Sequence, residues 1–292
     1  MKLAVGPLLY YWEREAADLF YDAVAASPAD IVYLGESVCS KRRTYRTAEW
    51  FALADRLRDA GKEVVLTTLA LTEAESELAQ AARVAGQDGA LVEANDLAVI
   101  ELRGGRPFVI GPHVNVYNPE TLRFLTSRGA VRWVAPVELG IEQLAALSAA
   151  RPPGLGMEVF AWGRMPLAVS ARCFTARAHD RAKDDCDFVC NRYPDGLIVQ
   201  TREDERFLTV NGVQVQSARI HNAIGWLPRL REIGVDVLRL SPSASGFLEV
   251  VRAFRTVLDG GPVPEALTSG DYCDGYLGGA AGMERAGGAM RE

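Results

Sequence analysis

The sequence predicts an α/β fold, a (β/α) barrel or incomplete TIM-like barrel, and three observations predict it. Short Val/Ile/Leu-rich runs alternate with amphipathic helical segments along most of the chain, the pattern of parallel strands joined by right-handed helical crossovers. The runs are continuous rather than alternating, as expected of strands covered on both faces. About eight strand–helix units fit within 292 residues, which suits a barrel of one domain better than an open sheet.

The expected strands are Leu3–Gly6, Ile31–Leu34, Val64–Thr67, Gly89–Val92, Phe108–Ile110, Val131–Val134, Gly156–Phe160 and Val235–Leu240. The apolar run Leu3–Trp12 reads as the first strand and its loop, not as a signal peptide. One Lys precedes it, Gly6-Pro7 interrupts it, and Glu13-Arg14-Glu15 follows with no small-residue cleavage site. Trp50, Phe51, Leu53, Ala54 and Leu57 recur at helical spacing before Gly61. Thr72-x-x-Glu75 has the form of a capping box opening a helix to about Ala85. Asn118 caps a helix that has Pro119 in its first turn and Gly129 at its end. Leu139, Ile141, Leu144, Ala145 and Leu147 mark another helix, and Phe247, Leu248, Val250, Val251 and Phe254 mark the last. His221-Asn222 is expected to open a helix as its cap.

The pattern breaks between about 171 and 217. Arg172–Arg192 is polar and cysteine-bearing, and Glu205–Val210, Asn211-Gly212 and Val213–Gln216 read as a β-hairpin turning at Asn-Gly. This segment is taken as an insertion on the C-terminal side of a single domain spanning 1–292. The Gly/Ala-rich tail 278–292 is expected to be loosely ordered.

Composition narrows the function. With 49% hydrophobic and 24% charged residues the chain is neither disordered nor collagen-like, and it is long enough to build a core without disulfides or metal. A net charge of −6 argues against nucleic acid as the partner, since phosphates require cations. No stretch reaches the roughly 18 apolar residues of a membrane span, so a cytoplasmic location is expected. Neither a Gly-rich dinucleotide turn nor a Walker loop follows the first strand.

Five cysteines are present: Cys39, Cys173, Cys186, Cys190 and Cys273. An odd number in a chain of cytoplasmic character argues against a disulfide framework. Cys273 reads as a small buried hydrophobe. The other four are a different matter. Cys173, Cys186 and Cys190 are separated by twelve and then three residues, and Cys39 lies just beyond the strand Ile31–Leu34. In a barrel all strand C-termini open on one face, so four thiols remote in sequence could meet there. Such a set would bind a zinc ion or an iron–sulfur cluster, or the thiols are unrelated. Arg172, Arg177, Arg181 and Lys183 are expected around them, where cations would offset thiolate charge.

The run Glu158-Val159-Phe160-Ala161-Trp162-Gly163-Arg164-Met165-Pro166, the run Ser170–Arg177 around Cys173, and Lys183-Asp184-Asp185-Cys186 with Cys190 resemble the collagenase-like peptidase family. The chain keeps Glu158, Phe160 and Gly163 of that family's E-x-F-x-x-G core, but has Met165-Pro166 where many members place a Cys. Within the family it is similar to the branch serving dioxygen-independent ubiquinone synthesis, and the likeness extends to Cys39, the Asn-Gly hairpin and Asp271–Tyr276. The resemblance implies that Cys39, Cys173, Cys186 and Cys190 ligate a 4Fe-4S cluster. It also implies a heterodimer with a related UbiU-like subunit, a lipid-binding accessory protein, and hydroxylation of a ubiquinone precursor with prephenate as the suggested oxygen source. Four protein ligands leave no open iron, so redox or structural support would be the cluster's task. The alternatives are a peptidase, an RNA-base hydroxylation protein of the same broad family, and a zinc-stapled scaffold.

Further polar candidates are His113 and Asn115, expected on the barrel's functional face after Phe108–Ile110. Glu36 stands beside Cys39, and Glu158 is either a perturbed carboxylate or the partner of an Arg.

Overall fold

In the computed structural model, which describes residues 1–287, seven parallel strands come first: β1 (Lys2–Val5), β2 (Ile31–Leu34), β3 (Glu63–Thr67), β4 (Leu91–Ala94), β5 (Phe108–Ile110), β6 (Ala130–Val134) and β7 (Gly156–Gly163). A separate antiparallel sheet follows, formed by β8 (Pro166–Val169), β9 (Leu197–Gln200), β10 (Arg206–Asn211) and β11 (Gln214–Ser217) in the order β8-β11-β10-β9. The short β12 (Ile220–Asn222) returns to β7, and β13 (Val237–Leu240) pairs in parallel with both β7 and β1. That double pairing closes an eight-stranded parallel barrel with one strand in each of the eight expected runs, although β4 starts at Leu91, two residues after the expected Gly89, and β13 at Val237, two after the expected Val235. β14 (Tyr272–Cys273) extends the sheet beyond β12.

The helices α1 (Arg14–Ala25), α2 (Thr47–Asp59), α3 (Glu75–Ala85), α4 (Leu97–Arg103), α5 (Pro119–Ser127), α6 (Ile141–Ala150), α8 (Leu227–Glu232) and α9 (Phe247–Leu258) surround the barrel, while α7 (Phe174–Arg177) is a single turn in the insertion. The strands bury both faces. Val32 and Leu34 of β2 pack outward in the large core beneath the helices, whereas Ile31 and Tyr33 point inward with Ala4, Val65, Val109, Val134 and Val237. Burying both faces explains why the runs are continuously apolar.

Some local expectations are corrected. α3 begins at Glu75, two residues later than a Thr72 cap would place it, because Glu77 accepts from the backbone N–H groups of Glu73 and Ala74. The hairpin turns one residue late. Asn211 pairs with Gln214, so the two-residue loop is Gly212-Val213, with Gly212 at φ +64°. His221 and Asn222 lie in β12 and open no α-helix, although Asn222 Oδ1 does accept from the N–H of Ile224, the first residue of a 3₁₀ turn capped by Ala223. The inserted sheet starts at Pro166, before the expected boundary, because β8 pairs with β11. Within the expected tail, Ala286 and Gly287 donate their N–H groups to Asp274. Residues 288–292 of the expected tail lie outside the described residues.

Candidate functional site

Two sites form at the C-terminal end of the barrel. The first is cysteine-lined. Gly35, at φ +129°, leads out of β2 into a tight turn, and a Cβ there would stand 2.7 Å from the carbonyl oxygen of Thr67. Glu36 braces that turn, with Oε1 accepting from the N–H groups of Val38 (2.8 Å) and Cys39 (3.0 Å). Glu36, beside Cys39 in sequence, is thus a structural clip of the turn that carries that thiol. Cys173 caps the one-turn α7, its Sγ accepting from the N–H of Ala176 at 3.4 Å. Cys186 and Cys190 flank Asp187 and Phe188, two non-glycine residues in succession with left-handed backbone, φ +47° and +51°. That conformation is costly for a bulky residue. It folds the three-residue spacer tightly enough for both thiols to face one pocket.

The sulfur-bearing side chains of Cys39, Cys173, Cys186 and Cys190 line one small pocket together with Lys41, Arg42, Lys183 and Gly212. Cys273 lies elsewhere, buried with Phe160 and Met165. Among the described residues, no three His, Cys, Asp or Glu side chains are grouped as ligands of a single ion. All five cysteines are free thiols. Burial pushes the thiols of Cys39 and Cys190 up, and the Arg42 guanidinium opposes it.

Arg42 was not anticipated. It is 5% exposed, donates to the carbonyl of Leu9 at 2.5 Å and to Asn211 Oδ1 at 2.7 Å, and its Nε is buried with no acceptor among the described residues. Its nearest carboxylate is Glu36, at 3.9 Å from Nη1, and the spare Nε donor beside four thiols fits a further anionic group in that pocket. Of the four cations expected there, Lys183 alone lines the pocket. Arg172 and Arg177 are exposed, and Arg181 pairs with Asp187 at 3.5 Å. These long side chains stay in water because the loop packs through its thiols and short helical turns.

The second site is the barrel mouth, a cavity of about 290 Å³ roofed by β8. Its floor is a buried ionic network. Arg239 donates through Nε to Glu158 (2.6 Å) and through Nη2 to Glu93 (2.7 Å), and both carboxylates are 0% exposed. Tyr33 donates its hydroxyl to Glu158 at 2.6 Å, with its ring 4.0 Å beneath the Arg239 guanidinium. Burial disfavours the charge on Arg239, but Glu158 and Glu93 outweigh it and hold the guanidinium well above its usual range. Glu158 is therefore the partner of an Arg. His113 and Asn115 both line the cavity, and burial lowers His113 to about 4, leaving it neutral. Ser37, Glu93, Asn95, Arg239 and Ser241 line it too and were not singled out beforehand. The signal for Glu93 and Arg239 was present: a lone charge inside an otherwise apolar buried strand needs a partner. The carbonyl of Leu9 links the two sites, since Leu9 lines the cavity while Arg42 holds its oxygen from the cysteine side.

A family model for peptidase family U32 matches residues 20–266. The chain belongs to peptidase family U32. Among solved structures, this U32 chain is similar to the U32 peptidase Mk0906, at 14% identity over 83% of this chain and 93% of that one, with a TM-score of 0.43. It is also similar to a phospho-2-dehydro-3-deoxyheptonate aldolase of Thermotoga maritima, at 10% identity over 88% of this chain and 68% of that one, TM-score 0.38. An O-GlcNAc hydrolase of Thermobaculum terrenum matches at 12% identity over 85% of this chain and 58% of that one, TM-score 0.36. In this U32 chain no helix among the described residues is long and apolar enough to cross a membrane.

Proposed function

We propose that this U32 chain is a UbiV-like protein: the 4Fe-4S subunit of a cytoplasmic heterodimer with a UbiU-like partner, required for dioxygen-independent hydroxylation of a ubiquinone precursor. The observation that carries the reading is the donor set, four thiols from two remote segments lining one pocket beside the buried Arg42. Thiolate softness suits iron–sulfur clusters. Bound there, the cluster would supply electron transfer or structural support.

The chain's own residues prepare that pocket. Cys39, Cys173, Cys186 and Cys190 would be the ligands. Arg42 would offset negative charge, Lys41 and Lys183 are tied to Asp184 and Glu73 at the pocket's edge, and the N–H of Ala176 is donated to Cys173 Sγ. Arg42 also ties Leu9 to Asn211 of β10, which fixes the insertion against the barrel. A reducing cytoplasm would keep the thiols free. The lipid-binding accessory protein and the prephenate oxygen source belong to the same reading.

The test is anaerobic purification with and without the partner, measuring iron, sulfide and the visible spectrum. Replacing any one of the four cysteines by Ala should remove iron and the broad visible band while circular dichroism stays native; Cys273→Ala should keep both. Full iron content in Cys173→Ala sinks the assignment. A colourless protein holding one zinc would make the site a structural staple. The family's name favours a second reading, a peptidase, and casein cleavage that persists after the iron is removed would establish it.

A further inference from the structure

The cysteine end of the barrel carries cations that its own fold does not use. Arg43, Arg172, Arg177 and Arg192 are exposed, and their side chains bond no carboxylate or carbonyl among the described residues. Apart from Arg46, Arg202 and Arg206, every other Lys and Arg among those residues is paired with one or the other. Each of the four adjoins the four-thiol pocket in the chain. Arg43 follows Arg42, Arg172 precedes Cys173, Arg177 ends the one-turn α7 that Cys173 caps, and Arg192 stands two residues after Cys190. In the same segments Asp180 and Asp185 are left unpaired, while Asp184 and Asp187 are held by Lys41 and Arg181. Free cations thus outnumber free carboxylates here, on a chain whose net charge is −6. Inside this basic rim is an apolar centre. Phe188 lines the pocket and is 42% exposed. Tyr11 packs on it, with ring centroids 5.6 Å apart, and stands beside the backbone of Arg43. From Tyr11 a groove runs past Phe20 to Leu19, which is 66% exposed. Cys39 and Cys186 form the partly exposed edge of the thiol pocket, Cys173 and Cys190 its buried back.

We propose that this face docks the acidic surface of a protein electron carrier of the ferredoxin type, with Phe188 and Tyr11 at the centre of the contact and Arg43, Arg172, Arg177 and Arg192 pairing its carboxylates. Charge complementarity selects the occupant: free guanidinium groups match carboxylates in charge and in fork geometry. Aromatic side chains at the centre with Arg around them are the composition of a protein–protein interface. A long polyanion such as RNA would extend past the patch onto an acidic chain that repels it. Resting on the function proposed above, the docked carrier would stand against the accessible edge of the thiols. One electron would leave the carrier's reduced iron and enter the cluster, oxidising the one and reducing the other, with no bond made or broken.

The experiment is biolayer interferometry on the full chain, purified anaerobically with and without its UbiU-like partner and with its iron measured, using an acidic plant-type ferredoxin as the probe. Saturable binding is expected at about 0.05 M salt, with a loss of roughly tenfold or more at about 0.5 M. The triple variant Arg172→Glu, Arg177→Glu, Arg192→Glu should weaken binding by roughly a hundredfold. Those side chains bond nothing within the fold, so circular dichroism should stay native. Arg202→Glu with Arg206→Glu, also charge reversals but on the β9–β10 hairpin, should leave binding unchanged. No saturable binding, binding indifferent to salt, equal loss in the two variants, or tighter binding of single-stranded RNA or of phosphatidylglycerol vesicles overturns the proposal. Ferredoxin binding that the UbiU-like partner abolishes gives the face to that subunit and overturns it as well. Iron without ferredoxin binding refutes this docking alone. Ferredoxin binding without iron refutes the cluster reading alone.

Discussion

Arg239→Leu is the most informative perturbation of the barrel interior. The guanidinium bonds Glu158 at 2.6 Å and Glu93 at 2.7 Å, and neither carboxylate is exposed. After the substitution Glu158 keeps the Tyr33 hydroxyl at 2.6 Å and Arg132 at 3.7 Å. Glu93 keeps the neutral donors Thr67 at 2.5 Å and Asn95 at 3.4 Å, so Glu93 becomes a buried charge with no cation in contact. Stranding one partner of a buried pair costs about 3–5 kcal/mol, against a total stability of roughly 5–15 kcal/mol. At about 2–4 °C per kcal/mol for domains somewhat smaller than this one, the melting temperature falls by roughly 6–20 °C. The pH arm isolates the cause. A buried carboxylate without its cation has a folded pKa above its unfolded value of about 4.3. The folded variant then binds more protons than the unfolded chain, and its stability declines as pH rises through that window. The deficit relative to the parent is therefore larger at pH 8 than at pH 5, and adding Glu93→Gln recovers part of it. Urea unfolding followed by circular dichroism at several pH values measures this, with the slope m unchanged. A deficit below about 1 kcal/mol, or one that is flat from pH 5 to 8, refutes the reasoning.

Two further outcomes follow from the same structure. Burial lowers His221 to about 4, with Asp274 opposing it, and leaves its Nδ1 unpartnered among the described residues. A base whose folded pKa is depressed stabilises the fold above its unfolded value of about 6.5 and loses that contribution as pH falls toward 4, a loss of up to about 3 kcal/mol. His221→Phe should flatten that limb of the stability curve, and parallel curves for the two proteins would assign the limb elsewhere. Gly35→Ala forces a Cβ to 2.7 Å from a backbone oxygen at φ +129°, costing about 2–4 kcal/mol. It also displaces the turn that carries Cys39, so thermal melts should fall and alkylation of Cys39 should quicken; an unchanged melt would contradict the geometry.

Legibility in the sequence tracked the range of the interactions involved. Strands such as Ile31–Leu34 and Phe108–Ile110 announced themselves because both faces are buried, which leaves an unbroken apolar run. The Asn118 cap was legible because it is a bond over three residues, Asn118 Oδ1 to the N–H of Thr121 at 2.8 Å. The Thr72 cap was misread because Glu77 performs the same task from farther along the helix. For Glu158 the sequence leaves open a perturbed carboxylate or an Arg partner, because Arg239 lies 81 residues away and only barrel closure brings the two together.

By itself the sequence determined the barrel class, its eight strands, and which four cysteines stand apart from the fifth, because local periodicity, turn chemistry and residue type are properties of short segments. Only the tertiary structure decided that the ring closes through Val237–Leu240, that Arg42 and not the loop arginines backs the thiols, and that Glu93 and Arg239 line one cavity with His113. Those facts depend on which strand ends are neighbours and which side chains lose water. Long-range pairing fixes both, and no window of sequence contains it.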